Sequence, residues 1–153
     1  MAALTQNVNR VGRENVVQSY KIASGFTVYT GSIVALNASG FLVPYTNTPD
    51  GQMILGIVQS GPGANSDGSG AMTGNAAGTI EAMVLEEKVT LYNVSVAGVV
   101  NQADLGKRFY ASSDNDLTLT QPGAAGVPFG RIVRYHTGDK CDVEMHSYDG
   151  RSS

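Results

Sequence analysis

The sequence predicts an all-β fold: a small β-barrel or β-tulip-like domain built of hairpins, with an extended N-terminal arm and a long Gly-rich loop. Three observations lead there. β-Branched and aromatic residues come in short runs, and no segment places apolar residues at about 3.6-residue spacing over three turns. Glycine accounts for 19 of 153 residues, about 12% against an average of about 7%, and many of these glycines punctuate the apolar runs. Charged residues make up only 15%, against a usual share of about 25%, while hydrophobics reach 42%. A chain of this length can bury one real core, and its low charge implies surface covered by partners.

Residues 1–14 are polar and aperiodic and read either as a frayed terminus or as an arm that orders against a neighbouring subunit, with Leu4, Val8 and Val11 as its apolar contacts. Strand chemistry begins at Asn15. Val16, Val17, Tyr20, Ile22, Phe26, Val28 and Tyr29 follow, broken at Ser24-Gly25. Gly31 to Pro44 reads as a hairpin: Ile33-Val34-Ala35-Leu36 turns through Asn37-Ala38-Ser39-Gly40 into Phe41-Leu42-Val43. Pro49-Asp50-Gly51 marks a further turn before an apolar strand from Met53 to Val58. Residues 60–78 form the long loop, in which six glycines alternate with Ser, Asn, Ala and Thr around Met72. A loop of this length is functional or mobile.

Strand chemistry returns from Thr79 to Val100. Val89 and Leu91 share one parity and Tyr92, Val94 and Val96 the other, which predicts a bulge near Leu91-Tyr92 or a strand buried on both faces. Glu86-Glu87-Lys88 reads as an exposed turn. Gln102 to Gly106 has the composition of one helical turn. Arg108 to Ala111 and Leu117 to Leu119 flank a polar turn, and a closing hairpin runs from Phe129 to His136 and from Cys141 to Ser147. In its last strand Cys141, Val143 and Met145 face the core, while Asp142, Glu144 and His146 face solvent. The chain thus divides into an arm (1–14), one β domain (15–148) and a flexible tail (149–153). An internal echo runs through that domain. Gly31-Ser32-Ile33-Val34-Ala35, Phe41-Leu42-Val43 and Leu55-Gly56-Ile57-Val58 match Gly106-Lys107-Arg108-Phe109-Tyr110, Leu117-Thr118-Leu119 and Phe129-Gly130-Arg131-Ile132-Val133. This predicts two related lobes.

The chemistry of sites is sparse. A net charge of -3 opposes binding to nucleic acid by phosphate neutralisation. No run approaches about 18 apolar residues, and no basic start with an apolar core opens the chain as a signal peptide would. The lone Cys141 excludes an intrachain disulfide, agrees with a reducing place of synthesis, and reads as a small buried hydrophobe. Gly61-Pro62-Gly63-Ala64-Asn65-Ser66 begins like a dinucleotide fingerprint but has Ser66 in place of the third glycine, and no helix pattern follows. There is no Gly-x-Ser-x-Gly elbow. His136, Cys141 and His146 are spaced too widely for a zinc finger, Asp67-Gly68-Ser69-Gly70 has too few carboxylates for a calcium loop, and the Asp142/Glu144/His146 stripe reads as a solvated face. Asn37-Ala38-Ser39 and Asn93-Val94-Ser95 match the glycosylation pattern by chance. The expectation is a protein that is not an enzyme and uses neither cofactor nor metal.

The hairpin from Gly31 to Pro44, Gly56-Ile57-Val58, the segment from Ala103 to Tyr110, Leu117-Thr118-Leu119 and Gly130-Arg131-Ile132-Val133 together resemble small bacteriophage capsid decoration, or cement, proteins. The resemblance spans Val16 to Met145, and the long Gly-rich loop departs from the family's shorter forms. It implies a structural virion protein, made in the host bacterial cytoplasm, that sits as a homotrimer on the outer surface of an expanded capsid. There it bridges neighbouring capsomers of the major capsid protein lattice, without nucleic acid or membrane as partner. The family's contact arm then corresponds to Leu4, Val8, Val11, Val16 and Val17, adding a strand to a neighbour's sheet edge, with Arg10 and Arg13 meeting capsid acids. The alternative is a fibre or tail-associated module whose 60–78 loop touches a receptor or glycan.

Overall fold

The computed structural model describes residues 16–46, 53–60, 71–86, 88–123 and 128–146. Among these, the regular structure is nearly all strand: β1 (Val16–Lys21), β2 (Thr27–Val28), β3 (Ile33–Leu36), β4 (Leu42–Pro44), β5 (Met53–Ser60), β6 (Met72–Thr73), β7 (Glu81–Glu86), β8 (Lys88–Ala97), β9 (Arg108–Ala111), β10 (Leu117–Thr118), β11 (Pro128–Thr137) and β12 (Lys140–His146). A single 3-10 turn, Gln102–Asp104, stands where the sequence predicts a helical turn. The all-β barrel class is therefore the one observed.

The second half forms a closed barrel in the order β10-β8-β12-β11-β9, sealed by a parallel pairing of Leu117 with Val96. The first half forms a five-stranded sheet, β1-β7-β5-β3-β4, and a parallel bridge from Ile22 to Leu42 joins its two ends. The two halves thus follow one strand order. Equivalent backbone bonds recur in the two halves. Gly31 N–H donates to Val58 O at 2.8 Å and Gly106 N–H to Ile132 O at 2.8 Å. Val58 N–H donates to Ser32 O and Ile132 N–H to Lys107 O, each at 3.0 Å. The predicted echo is a repeat of the whole five-strand unit, and each unit has its own interior.

Alternation along β3, with a bulge at Leu55 in β5, explains how two interiors fit in a chain this short. Val34, Leu55 and Val58 join Ile22, Leu42 and Val84 in one buried cluster. Ile33, Ala35, Ile54 and Ile57, on the other face, join the cluster of the closed barrel. β3 and β5 are thus buried on both faces, which accounts for the apolar run from Met53 to Val58. In the closed barrel Phe109 and Phe129, both fully buried, meet edge to face with centroids 5.7 Å apart. The corresponding places in the first unit are taken by the smaller Val34 and Leu55, which leaves room for Met72 and Val28 from β6 and β2.

Three expectations are corrected. Part of the long loop is strand: Met72–Thr73 pairs with Thr27–Val28, because Met72 supplies the apolar anchor the first core needs. Residues 61–70 of that loop and the Pro49-Asp50-Gly51 turn lie outside the described residues. Glu86, expected in an exposed turn, ends β7 with 0% exposure; Gln18 Nε2 donates to one carboxylate oxygen and the Tyr20 hydroxyl to the other at 2.6 Å. Asp142, expected on the solvated face, is buried under the bulge described below. The parity switch in β8 is that bulge: Tyr92 and Asn93 together face Asp142, and Asn93 takes a positive φ of 54°.

Gly56 and Gly130 occupy equivalent places in the repeat and admit no side chain. A Cβ at Gly56 would stand 2.0 Å from Leu85 O, and one at Gly130 would stand 1.9 Å from Glu144 O. Gly56→Ala and Gly130→Ala are each expected to destabilise the protein by about 1–3 kcal/mol or more through forced backbone displacement. Urea unfolding measures this, and unchanged midpoints would show that the strands separate there at no cost.

Candidate interaction surface

Of the predicted contact residues, Leu4, Val8, Arg10, Val11 and Arg13 lie outside the described residues. Val16 and Val17 open β1, where they pair with Glu86 and Leu85 of the same chain. β1 is an end strand of its sheet, and among the described residues no strand lies on its outer side between Val16 and Lys21. Val17 is 41% exposed. The strand is anchored from beneath, because its Gln18 and Tyr20 side chains hold the buried Glu86 carboxylate. An open edge fixed in this way keeps its backbone groups aligned for another strand.

The groups with chemical potential are occupied with one another. Asp142, 6% exposed, accepts at one carboxylate oxygen from Asn93 N–H at 2.8 Å, and His136 Nε2 lies 2.7 Å from the same atom. The Asn93 N–H and then the His136 bond hold the Asp142 carboxyl below the usual carboxylate range. Glu144 meets His146 at 3.0 Å and Lys88 at 3.6 Å. Cys141 is fully buried, and burial, aided by the nearby carboxylates, pushes its thiol up. Among the described residues no three His, Cys, Asp or Glu side chains converge as metal ligands.

Asp104 closes the 3-10 turn. Lys107 Nζ donates to it at 2.7 Å, Val100 N–H at 2.8 Å and Asn101 N–H at 3.2 Å. The Lys107 bond first, and then the two backbone bonds, lower its carboxyl from 3.8 to about 2. Its bonds tie Val100 and Asn101, before the turn, to Lys107, the residue that precedes β9.

Two grooves lie on different flanks of the closed barrel. One, of about 420 Å³, opens over β9, β11 and β12 and is lined by Arg108, Arg131, Pro128, Gly130, Glu144 and His146. Arg131 stands directly across from Arg108 in the strand register. The other, of about 820 Å³, lies where β8 and β10 meet the first sheet; Ile33, Ile57, Leu91, Val94 and Leu117 line it, with Asp116 and Asp139. The sequence conceals both, since Arg108 and Arg131 become neighbours only through register. The echo matches Arg108 with Ile33 and Arg131 with Ile57, not the two arginines with each other, so it carried no signal for this pair.

No family model matches the chain, and neither does any curated protein. Among solved structures it is similar to a chain of the capsid of Myoviridae phage XM1. The TM-score is 0.55 and the identity 15%, over 95% of this chain and 96% of that one. At this identity the likeness is one of fold, and it extends over both chains almost end to end.

Asp104 and Asp142 both bind protons less readily in the folded than in the unfolded chain. Their contribution to stability is therefore present above their ordinary range and is lost as pH falls through it. For Asp104 the window runs from 3.8 down to about 2. Asp104→Asn is expected to lower the urea midpoint at neutral pH and to flatten the loss of stability across that window. Equal acid slopes in variant and parent would contradict this role.

Proposed function

We propose that the chain is a structural virion protein. In this reading it binds the outer surface of an expanded phage capsid as a trimer and stabilises the shell by bridging neighbouring capsomers. The observation that carries the reading is the shared fold with a chain of a phage capsid, which covers 95% of this chain and 96% of the other. Similarity over nearly the whole of both chains supports a common architecture.

The mechanism follows from mass action. A protein that binds the expanded lattice and not its precursor stabilises the expanded form by an amount set by its affinity and concentration. Repetition over a symmetric shell multiplies modest contacts, because each further contact of a bridging subunit is made at high effective concentration. A bridge also has to be stiff. Two cores that share one sheet, with a bulge locked by Asp142, suit that role.

Attachment in this reading runs through residues 1–15 and the edge of β1. Leu4, Val8, Val11, Val16 and Val17 extend a neighbour's sheet, and Arg10 and Arg13 pair with capsid carboxylates. Strand addition draws affinity from main-chain hydrogen bonds and specificity from alternate side chains, which suits a short segment rich in valine.

Removal of residues 1–13 is expected to weaken co-sedimentation with expanded heads by at least roughly tenfold, about 1.4 kcal/mol, while the urea midpoint of the barrel stays unchanged. The full chain should bind expanded heads and not unexpanded shells. Equal binding to both, or to neither, overturns the reading.

A further inference from the structure

We propose that copies of this chain associate head to tail, the arginine groove of one copy docking against the aspartate-rimmed groove of the next. The inference deepens the self-association in the function proposed above and does not depend on capsid attachment.

The basic side of this contact is a pair of like charges held together by the fold. Arg108 and Arg131 face each other across β9 and β11, both exposed. Like charges directly opposite one another destabilise a strand pair. Neither arginine makes an ion pair among the described residues. Glu144, the carboxylate in that groove, is engaged by His146 and Lys88. The arrangement is unfavourable in the isolated chain and becomes favourable when outside carboxylates neutralise it. Leu105, three residues before Arg108 in the chain, is a large apolar side chain 46% exposed.

The acidic side has the complementary character. Asp116 and Asp139 line the larger groove, which has no Lys or Arg among its lining residues and an apolar floor that includes Ile33, Ile57 and Leu117. Asp114 belongs to the same loop as Asp116, and its backbone carbonyl accepts from Ile33 N–H at 2.7 Å, which fixes that loop to the first sheet. Ser113 Oγ donates to Asp116 at 3.0 Å and orients its carboxylate. The apolar floor matches an exposed leucine and the rim matches two guanidinium groups. The sides occupy different flanks of one barrel, so the contact is heterologous. A heterologous contact closes into a ring when its rotation divides the circle, and a trimer is one such ring.

The test is mass in solution by analytical ultracentrifugation of the full chain, with circular dichroism and urea unfolding as folding controls. Wild type should sediment as an oligomer that dissociates as NaCl rises from about 0.1 M to 1 M, where the screening length falls from about 10 Å to about 3 Å. R108E/R131E and D116R/D139R should each remain monomeric, and mixing the two should restore a larger species, because each then presents the charge the other lacks. R108Q/R131Q serves if charge reversal prevents folding, with loss of the oligomer expected. A monomeric wild type, unchanged mass in the variants, or a mixture that stays monomeric overturns the proposal. A monomer that still binds expanded heads would remove the head-to-tail contact and leave the capsid reading standing. An oligomer that binds no head would do the reverse.

Discussion

The strand crossing at Gly56 and Gly130 is the constraint on which the rest of the structure depends. At each, the space a methyl group would fill is taken by a backbone oxygen of the next strand, Leu85 O or Glu144 O. That approach lets β5 lie tightly on β7 and β11 on β12 while both pairs coil. A sheet of five strands closes only if it coils strongly, and glycine at a close crossing is a standard way to permit it. Two residues beyond each glycine, Val58 and Ile132 turn their N–H groups to Ser32 O and Lys107 O and complete the next contact around each barrel. Closure, the repeat and the two interiors all follow from it.

Closure then sets the character of what is buried. Each small barrel admits few side chains, so size must be balanced across the repeat. The closed barrel takes Phe109 and Phe129 into its centre, whereas the first unit takes Val34 and Leu55 and fills the remainder with Met72 and Val28 from a separate two-stranded piece. Polar groups are admitted where a strand must be held in an irregular place. Glu86 holds β1 through Gln18 and Tyr20, Asp142 holds the bulge at Asn93, and Asp104 ties its turn to Lys107, which precedes β9. None of the buried side-chain polar atoms among the described residues lacks a partner, as low-dielectric burial demands.

Local patterns were legible in the sequence and register was not. The Gly31 to Pro44 hairpin, the Gln102–Asp104 turn, the inward Cys141, Val143 and Met145, and the β8 bulge all rest on contacts between near neighbours or on alternation within one strand, and those appear as predicted. Glu86 and Asp142 defeat such reading because what covers them comes from far along the chain: Gln18 and Tyr20 for one, and for the other the Asn93 bulge, which adds to its nearby partner His136. Alternation assigns a face to a residue without saying what covers that face. The short strand β6 was hidden in a Gly-rich segment because a two-residue strand has no period to detect. The echo was visible, but its extension to a full five-strand unit needs the bridges from Ile22 to Leu42 and from Val96 to Leu117, which only three dimensions supply.

The same logic gives the low charge content a structural meaning. Within the barrel many ionic groups are joined to one another: Lys107 to Asp104, His136 to Asp142, and both Lys88 and His146 to Glu144. Each such link fixes a bulge, a turn or a strand end, which is work a small core cannot do by apolar packing alone. The arginines and aspartates that line the grooves are of another kind, since they add nothing to the closure of either unit. They are carried on rigid elements, strand register for Arg108 and Arg131, a serine-bonded loop for Asp116 and a tight hairpin for Asp139. Fixed charges of this sort lose little conformational freedom when they meet a partner, so more of their interaction energy remains as affinity. Among the described residues the charges that line the two grooves thus stand in fixed places on separate flanks of the barrel, a geometry that suits contact at set angles.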